Sequence, residues 1–561
     1  MSAQTSPPLS GEGQGGEIEP PSPSGGGQGG GRPRRVVILG GGHAGVRCAQ
    51  RLAQRRRPSD NIEIVLVSHE NTEVWHGLMP QILSGVLQPQ HVLVPLREFL
   101  PGVRVYNYDV DEADLKARRV TLSRGDEGRQ IVLDYDDLVL ALGSITDLSR
   151  FRGLQEHGFQ TKTIGDFIYL RNHLIDMLET AAVEPDAEER QRLLTFVVAG
   201  AGFAGIEIAS EANEFIRSSL RLYPSIDPKE IRMIEVDILT RILPAFEQQL
   251  ADRAMQRMRA RGIDLRLGVG LSDATAGSVT LANGERVPTR TIIVTVGVGT
   301  NPLLTKLPIP LIRGRVKCDE YCRVEGWSNV YAVGDNAAVP GPSGDPYPAM
   351  LLIAFGEGRH VADNILATVR GQPLTPFHAK RYGEVALLSR GYGLAQVRGL
   401  KLHGWPAALL ARSRFLTYMP TWRRRVALVL HWWSSAIFRR DVSQLRMGRT
   451  DAIVPMRFSA GETIVREGEI ASRFYVITSG EVEVVQRVDG NDRQLRTLGP
   501  GRHFGEVALL QHSKRTASIR ALTDTTVLAI ARQDFATLVG HMPELQEAVQ
   551  PPVDFVPPSD H

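Results

Sequence analysis

Val36-Val37-Ile38-Leu39-Gly40-Gly41-Gly42-His43-Ala44-Gly45 is an apolar run that stops in glycines. The four apolar residues read as a buried strand. Gly40, Gly42 and Gly45 then stand in G-x-G-x-x-G spacing. In that spacing the first glycine makes a tight turn and the second lets the backbone approach a pyrophosphate. The third lets a helix pack on the strand, with the helix N-terminus facing the phosphates. A helix over residues 44–57 and a second strand over 62–67 complete the unit.

The pattern recurs. Thr195-Phe196-Val197-Val198-Ala199 leads into Gly200-Ala201-Gly202-Phe203-Ala204-Gly205, in the same strand-to-helix context. Two such loops are far stronger evidence of dinucleotide binding than one. The second strand of this unit is predicted over 231–235 and ends in Glu235. A carboxylate there accepts from a ribose 2′-OH and repels a 2′-phosphate, which favours NADH over NADPH. In the first unit Ser68 stands at that place, with Glu70 two residues on. Two further strand-like runs end in glycine, at Asp137 to Ser144 and at Asn329 to Asp335.

Around these units the composition shifts. Residues 1–33 are mostly Gly, Pro, Ser and Gln and bury too little apolar surface to order, so they read as a disordered tail. Residues 166–192 have helical periodicity and carry Pro185, a linker position. Residues 401–450 hold ten Lys/Arg against the single acid Asp441, and four of the six tryptophans. From Arg457 short alternating runs separated by glycines read as a small antiparallel barrel or roll.

Composition excludes several classes. The 65 Lys+Arg nearly balance the 62 Asp+Glu, so nothing global points to nucleic acid. Three cysteines (Cys48, Cys318, Cys322) make neither a disulfide framework nor a four-cysteine zinc site, and no metal is expected. Cys48 is expected inside the first helix, and Cys318 and Cys322 in a surface hairpin. No run of 18 apolar residues spans a bilayer. No apolar signal core opens the chain.

Taken together, the two glycine loops, the 137–144 run and the terminal Asp335 resemble the two-dinucleotide flavoproteins. The resemblance implies that Gly40, Gly42, Gly45, Ser68, Gly143 and Asp335 hold FAD, and that Gly200, Gly202, Gly205 and Glu235 hold NADH. Residues 68–90 lack the cysteine pair of glutathione-reductase-like enzymes. The closer resemblance is to type II NADH dehydrogenases, over roughly residues 34–450. It rests on the stretch from Val198 to Glu207, on Arg241-Ile242-Leu243-Pro244, on Pro376 to Gly383 and on the tryptophan-rich basic segment. It implies roles for Glu207 near nicotinamide and quinone, and for Lys380 near the flavin. The family usually carries two glutamines along its quinone tunnel; Leu352 and Gly356 stand there.

Thr421 to Phe438 mixes arginines with an apolar, tryptophan-bearing face, which suits a helix lying in a membrane interface. Residues 457–545 resemble the cyclic-nucleotide-binding domain. The most specific stretch is Phe504-Gly505-Glu506-Val507-Ala508-Leu509-Leu510 followed by Arg515-Thr516-Ala517-Ser518. Gly505 allows close approach of a cyclic phosphate, Glu506 accepts from a ribose 2′-OH, Arg515 pairs with the phosphate and Thr516 adds a hydroxyl. No helix-turn-helix follows.

The expected fold is α/β: two Rossmann-like units plus an all-β C-terminal roll. The expected order is a tail (1–33), a first FAD part (34–165), a helical linker (166–192) and an NADH unit (193–300). A second FAD part (301–400), a membrane segment (401–450), a cyclic-nucleotide domain (451–545) and a tail (546–561) follow. The expected function is FAD-dependent, non-proton-pumping NADH dehydrogenation with a membrane quinone as acceptor and cAMP or cGMP as effector. The expected location is peripheral, at the cytoplasmic face of the plasma membrane through residues 401–445, with homodimerisation open. The alternatives are a non-quinone acceptor, or a redox sensor answering to a cyclic nucleotide.

Overall fold

The computed structural model describes residues 32–124, 130–380, 383–438, 440–445, 453–469, 471, 473–488, 491–510, 515–531 and 535. The expected tails at 1–33 (from residue 31 back) and 546–561 lie outside them.

The first apolar run forms the strand Arg34–Leu39, the centre of a five-stranded sheet. Its neighbours are Ile62–Val67 and Asp137–Leu140, both parallel to it. Arg104–Tyr106 and Val330–Ala332 close the edges, also in parallel. Parallel strands are covered by helices on both faces, so they read as unbroken apolar runs; Val36 to Leu39 are accordingly fully buried. The second sheet repeats the arrangement. Thr195–Ala199 is central, with Arg232–Asp237 and Ile263–Leu267 on one side and Thr291–Val294 and Gly158–Phe159 on the other. The strand Val330–Ala332 returns to the first sheet after the second is complete, so the second unit is inserted into the first.

Helix His43–Arg55 packs along helix Leu351–Val369. A Cβ on Gly358 would lie 2.1 Å from the Ala44 carbonyl oxygen, so the two backbones touch only because that residue is glycine. The stretch with Pro185 is two helices, Ile164–Val183 and Ala187–Leu193, the first burying Phe167, Leu170, Leu174 and Leu178 in the common core. Cys318 and Cys322 are buried free thiols, not members of a surface hairpin. Packing removes them from water, and burial pushes both thiols far above their ordinary pKa.

After a three-stranded sheet come helices Trp405–Tyr418 and Trp422–Ile437. The second turns Leu428 and Trp432 inward, and the Trp432 Nε1–H donates to Gln81 Oε1 at 2.6 Å. Trp405, Trp422 and Trp433 point outward, 71%, 77% and 67% exposed, beside Leu409, Val426, Leu430 and Ile437. Among the described residues no helix is long and apolar enough to cross a membrane.

The C-terminal region is a roll of two four-stranded sheets around its own core of Phe458, Ile477, Val482, Phe504, Ile519 and Val527. The α/β pair of nucleotide units with an all-β C-terminal roll is therefore the fold expected from the sequence. The roll docks on the inserted unit through its first strand, Ile453–Phe458. Arg457 bridges Asp273 at 2.6 Å and Asp524 at 2.9 Å, and its N–H donates to His157 Nε2 at 2.8 Å. Arg286 pairs with Glu462, and Arg466 with Asp186.

Candidate functional site

The first glycine loop, at Gly40 to Gly42, and the start of the helix that follows the second, at Phe203 and Ala204, line one cavity of about 1530 Å³. That exceeds the roughly 300–1,000 Å³ of a site for one drug-sized ligand.

Each loop divides its glycines by task. Gly40 and Gly200 have φ of +118° and +111°. A Cβ on either would strike its neighbours, at 2.1 Å (Ala141 carbonyl oxygen) and 2.5 Å (Thr295 Oγ1). Gly45 and Gly205 touch the carbonyl oxygens of Gly40 and Gly200; a Cβ would stand 2.1 and 1.6 Å away. At Gly42 and Gly202 a Cβ would meet nothing within 4 Å. The middle glycine thus borders open space at a helix N-terminus, the place a pyrophosphate needs. The donor set fits two dinucleotides, one per loop.

On the first loop's side, Asn336 ties the pieces together. Its side chain accepts from the Gly143 N–H at 3.0 Å and donates to the Leu140 carbonyl at 3.0 Å, holding the 143 turn beside Asp335. Gly143 and Asp335 both line the cavity, as does Ser68. Next to them Glu357 is buried and accepts from the Gly334 N–H at 2.6 Å, and its Oε1 has no partner among the described residues. Burial pushes its carboxyl up to about 8.

On the second loop's side, Glu235 is not where a ribose acid belongs. The strand runs to Asp237, two residues beyond the expected end. Glu235 lies inside the sheet, fully buried, with neither carboxyl oxygen hydrogen-bonded among the described residues, and burial pushes its pKa well above the ordinary value. Register identifies the equivalent position. The Gly40 N–H donates to Val67 and the Gly200 N–H to Val236, so Ser68 corresponds to Asp237. The Asp237 carboxylate accepts from the Ala201 N–H at 2.5 Å, inside the second glycine loop.

Glu207, one turn into the second loop's helix, lines the cavity and accepts from the Leu387 N–H at 2.9 Å. Burial pushes its carboxyl up to about 8, so at neutral pH it is a proton-bearing acid. Lys380 lines the same cavity with an exposed side chain. Leu352 lines it as well. Gly356 does not; a Cβ there would stand 3.1 Å from the Phe377 ring, which would have to give by a few tenths of an ångström.

In the roll, Arg515 is buried and donates to the carbonyls of Gly505 at 2.7 Å and Arg473 at 2.6 Å. Gly505 has φ +91°, and a Cβ there would lie 2.6 Å from Arg515 Nη1. Glu506 follows at once, buried, with Oε2 unpartnered. Thr516, next to Arg515, is part-buried. The four expected residues therefore gather at one corner, where a guanidinium and a glycine backbone meet.

The sequence reading missed Asp237 and His43. The signal for Asp237 was Val236, an apolar residue that prolongs the strand past Glu235. No local signal marked His43, whose partners come from elsewhere in the chain.

Comparison with known proteins agrees with this geometry. Residues 34–358 match the pyridine nucleotide-disulphide oxidoreductase model and residues 455–541 the cyclic nucleotide-binding domain model. The chain is 30% identical to the demethylphylloquinone reductase NdbB of Synechocystis, over 71% of this chain and 95% of that protein. It is also 30% identical to the type II NADH:quinone oxidoreductase NdhA of Mycobacterium tuberculosis, over 73% and 88%. The NDH2 of Plasmodium falciparum, solved with NADH, superimposes with a TM-score of 0.68 at 17% identity, over 73% of this chain and all of that one, a likeness of fold. The chain belongs to the pyridine nucleotide-disulphide oxidoreductase family, in its type II NADH dehydrogenase branch, and carries a C-terminal cyclic nucleotide-binding domain.

Proposed function

We propose that this oxidoreductase takes electrons from NADH, passes them through FAD to a quinone at a membrane surface, and is regulated by a cyclic nucleotide bound to its C-terminal roll. The observation that carries the reading is the cavity that runs from the first glycine loop past Phe203, Ala204 and Glu207 on the second loop's helix to Phe415 and Tyr418, on the helix with the exposed apolar outer side. The flavin, when bound, supplies the two-electron chemistry. Gly40, Gly42, Gly45, Gly143, Ser68 and Asp335 would hold it; Gly200, Gly202, Gly205 and Asp237 would hold NADH. Glu207, protonated at neutral pH, holds a proton at its carboxyl beside the second loop, and Lys380 places a positive charge on the cavity wall. Relatives that are quinone reductases support the acceptor. A non-quinone acceptor is the second reading, favoured by Leu352 and Gly356 where the family has glutamines. Oxidation of the NADH-reduced protein by quinone, against other acceptors, decides between them.

The membrane part rests on the outward tryptophans and the basic surplus around them. An aromatic side chain gains roughly 1.5–3 kcal/mol on leaving water, and each nearby basic residue about 1 kcal/mol at an anionic surface. Trp422→Ala with Trp433→Ala is expected to reduce flotation with anionic liposomes by a factor of ten or more, and salt to weaken what remains. Equal flotation of wild type and variant counts against this face.

Regulation needs a route. Arg457 holds His157, the last residue of the helix Leu154–His157, and only four residues on, Thr161 to Ile164 line the cavity. A shift of the roll therefore pulls on a cavity wall. Couplings of this kind are about 1–3 kcal/mol, or roughly 5- to 150-fold. His157→Phe, which removes the acceptor of the Arg457 backbone N–H, is expected to keep nucleotide binding by calorimetry with cAMP or cGMP and to lose most of the nucleotide's effect on NADH oxidation. An undiminished effect would rule this route out. Arg515→Ala is the binding control.

A further inference from the structure

Beside the first glycine loop stands a side-chain cluster that the reading above leaves unused. His43 opens the helix His43–Arg55 and lines the cavity. Its Nδ1 meets Glu73 Oε1 at 2.8 Å. Glu73 is fully buried in the short strand Thr72–Val74. Arg47, one turn along the same helix and 3% exposed, reaches both Glu73 oxygens, at 3.3 and 3.4 Å. Removing a carboxylate and a guanidinium from water is costly, and such pairs persist where they fix something. Here the pair fixes one imidazole. A carboxylate on Nδ1 sets the ring's tautomer. Nε2 is then the nitrogen left for proton exchange.

The surroundings give that nitrogen a direction. The His43 ring stands edge-on to Trp75 at 5.2 Å and Phe355 at 5.4 Å, with His76 at 6.1 Å. Phe355 in turn meets Tyr418 at 5.5 Å, on the helix whose outer side carries Trp405. The corner thus lies between the first glycine loop and the proposed membrane face. The charged and titratable groups around it are Glu73, Arg47, His76 and Arg359, with Lys162 acting on His76 from across the cavity. His76 lines the same cavity.

The quinone reading leaves one proton to be found. NADH surrenders a hydride, which carries two electrons and one hydrogen. A quinone becomes a quinol only on gaining two electrons and two protons, so the balance is NADH + H⁺ + quinone → NAD⁺ + quinol. We propose that His43, positioned by Glu73 and Arg47, gives the additional proton from Nε2 to a quinone oxygen and regains it from water in the cavity. This assignment rests on quinone being the acceptor.

The test uses the purified flavin-loaded protein under anaerobic conditions. General acids typically contribute 10²–10⁴-fold, so His43→Gln should slow reoxidation by a soluble quinone about 100-fold or more and change reduction by NADH far less. Reoxidation of wild type should show a solvent deuterium isotope effect that the variant lacks. A second readout does not involve turnover: in ¹⁵N-histidine NMR, the resonances that His43→Gln removes should show the hydrogen on Nδ1 of the neutral ring, and Glu73→Gln should change that tautomer balance. Equal slowing of both half-reactions, or loss of flavin by His43→Gln with an unchanged histidine tautomer and full quinone rate in Glu73→Gln, overturns the proposal. A wild-type protein that NADH reduces but no quinone reoxidises overturns the acceptor reading instead, and this assignment with it.

Discussion

Gly205→Ala is expected to make reduction of the protein by low concentrations of NADH slow while leaving its FAD in place. The added Cβ would stand 1.6 Å from the Gly200 carbonyl oxygen and 2.7 Å from its carbon. Both are backbone atoms, so no side chain can swing away; the helix must lift off the strand or the loop must open. Overpacking of this kind costs about 1–3 kcal/mol, and at 1.36 kcal/mol per tenfold NADH affinity should fall roughly 5- to 150-fold. The mirror variant Gly45→Ala meets the Gly40 carbonyl oxygen at 2.1 Å and should instead cost the protein its flavin. Flavin content by absorbance, with stopped-flow reduction by NADH, separates the two. Loss of flavin in Gly205→Ala, or normal NADH reduction in it, would show that the loops do not divide the two dinucleotides as assigned.

The second large effect concerns the choice between NADH and NADPH. Asp237→Asn is expected to narrow the preference for NADH, and Glu235→Gln to leave it alone. Asp237 ends its strand beside Ala201, in the register position of Ser68. A hydrogen bond to a charged group contributes about 1.5–3 kcal/mol, so losing the carboxylate should narrow the ratio roughly 10- to 150-fold. The Glu235 carboxyl has no hydrogen-bond partner among the described residues and sits two residues inside the sheet. Apparent affinities for both donors, measured by rapid reduction in each variant, check the pair. A shift in Glu235→Gln but not in Asp237→Asn would reverse the assignment.

That exchange of one acid for another marks what was legible in the sequence. The glycine loops were legible because their information is local: turn, approach and packing are set by three residues within six. The C-terminal roll was legible for the same reason, through its glycine-bounded strands and the compact 504–518 stretch. The end of the second strand was not, because Glu235 interrupts an apolar run and looks like its terminus, whereas Val236 and the pairing with Ala199 carry it further. The His43–Glu73–Arg47 cluster joins residues 30 positions apart, and Arg457 reaches Asp273 across 184. Only the folded chain brings such partners together. The cysteine spacing misled because Cys-x-x-x-Cys says nothing of depth, and both thiols lie in the core.

The central claim is that one cavity passes electrons from NADH to quinone. An anaerobic titration of the purified protein tests it most directly. One equivalent of NADH per flavin should bleach the flavin absorbance, and one equivalent of a soluble quinone should restore it with formation of quinol. A protein that NADH leaves oxidised, or whose reduced form ignores quinone and reacts only with other acceptors, would contradict the account.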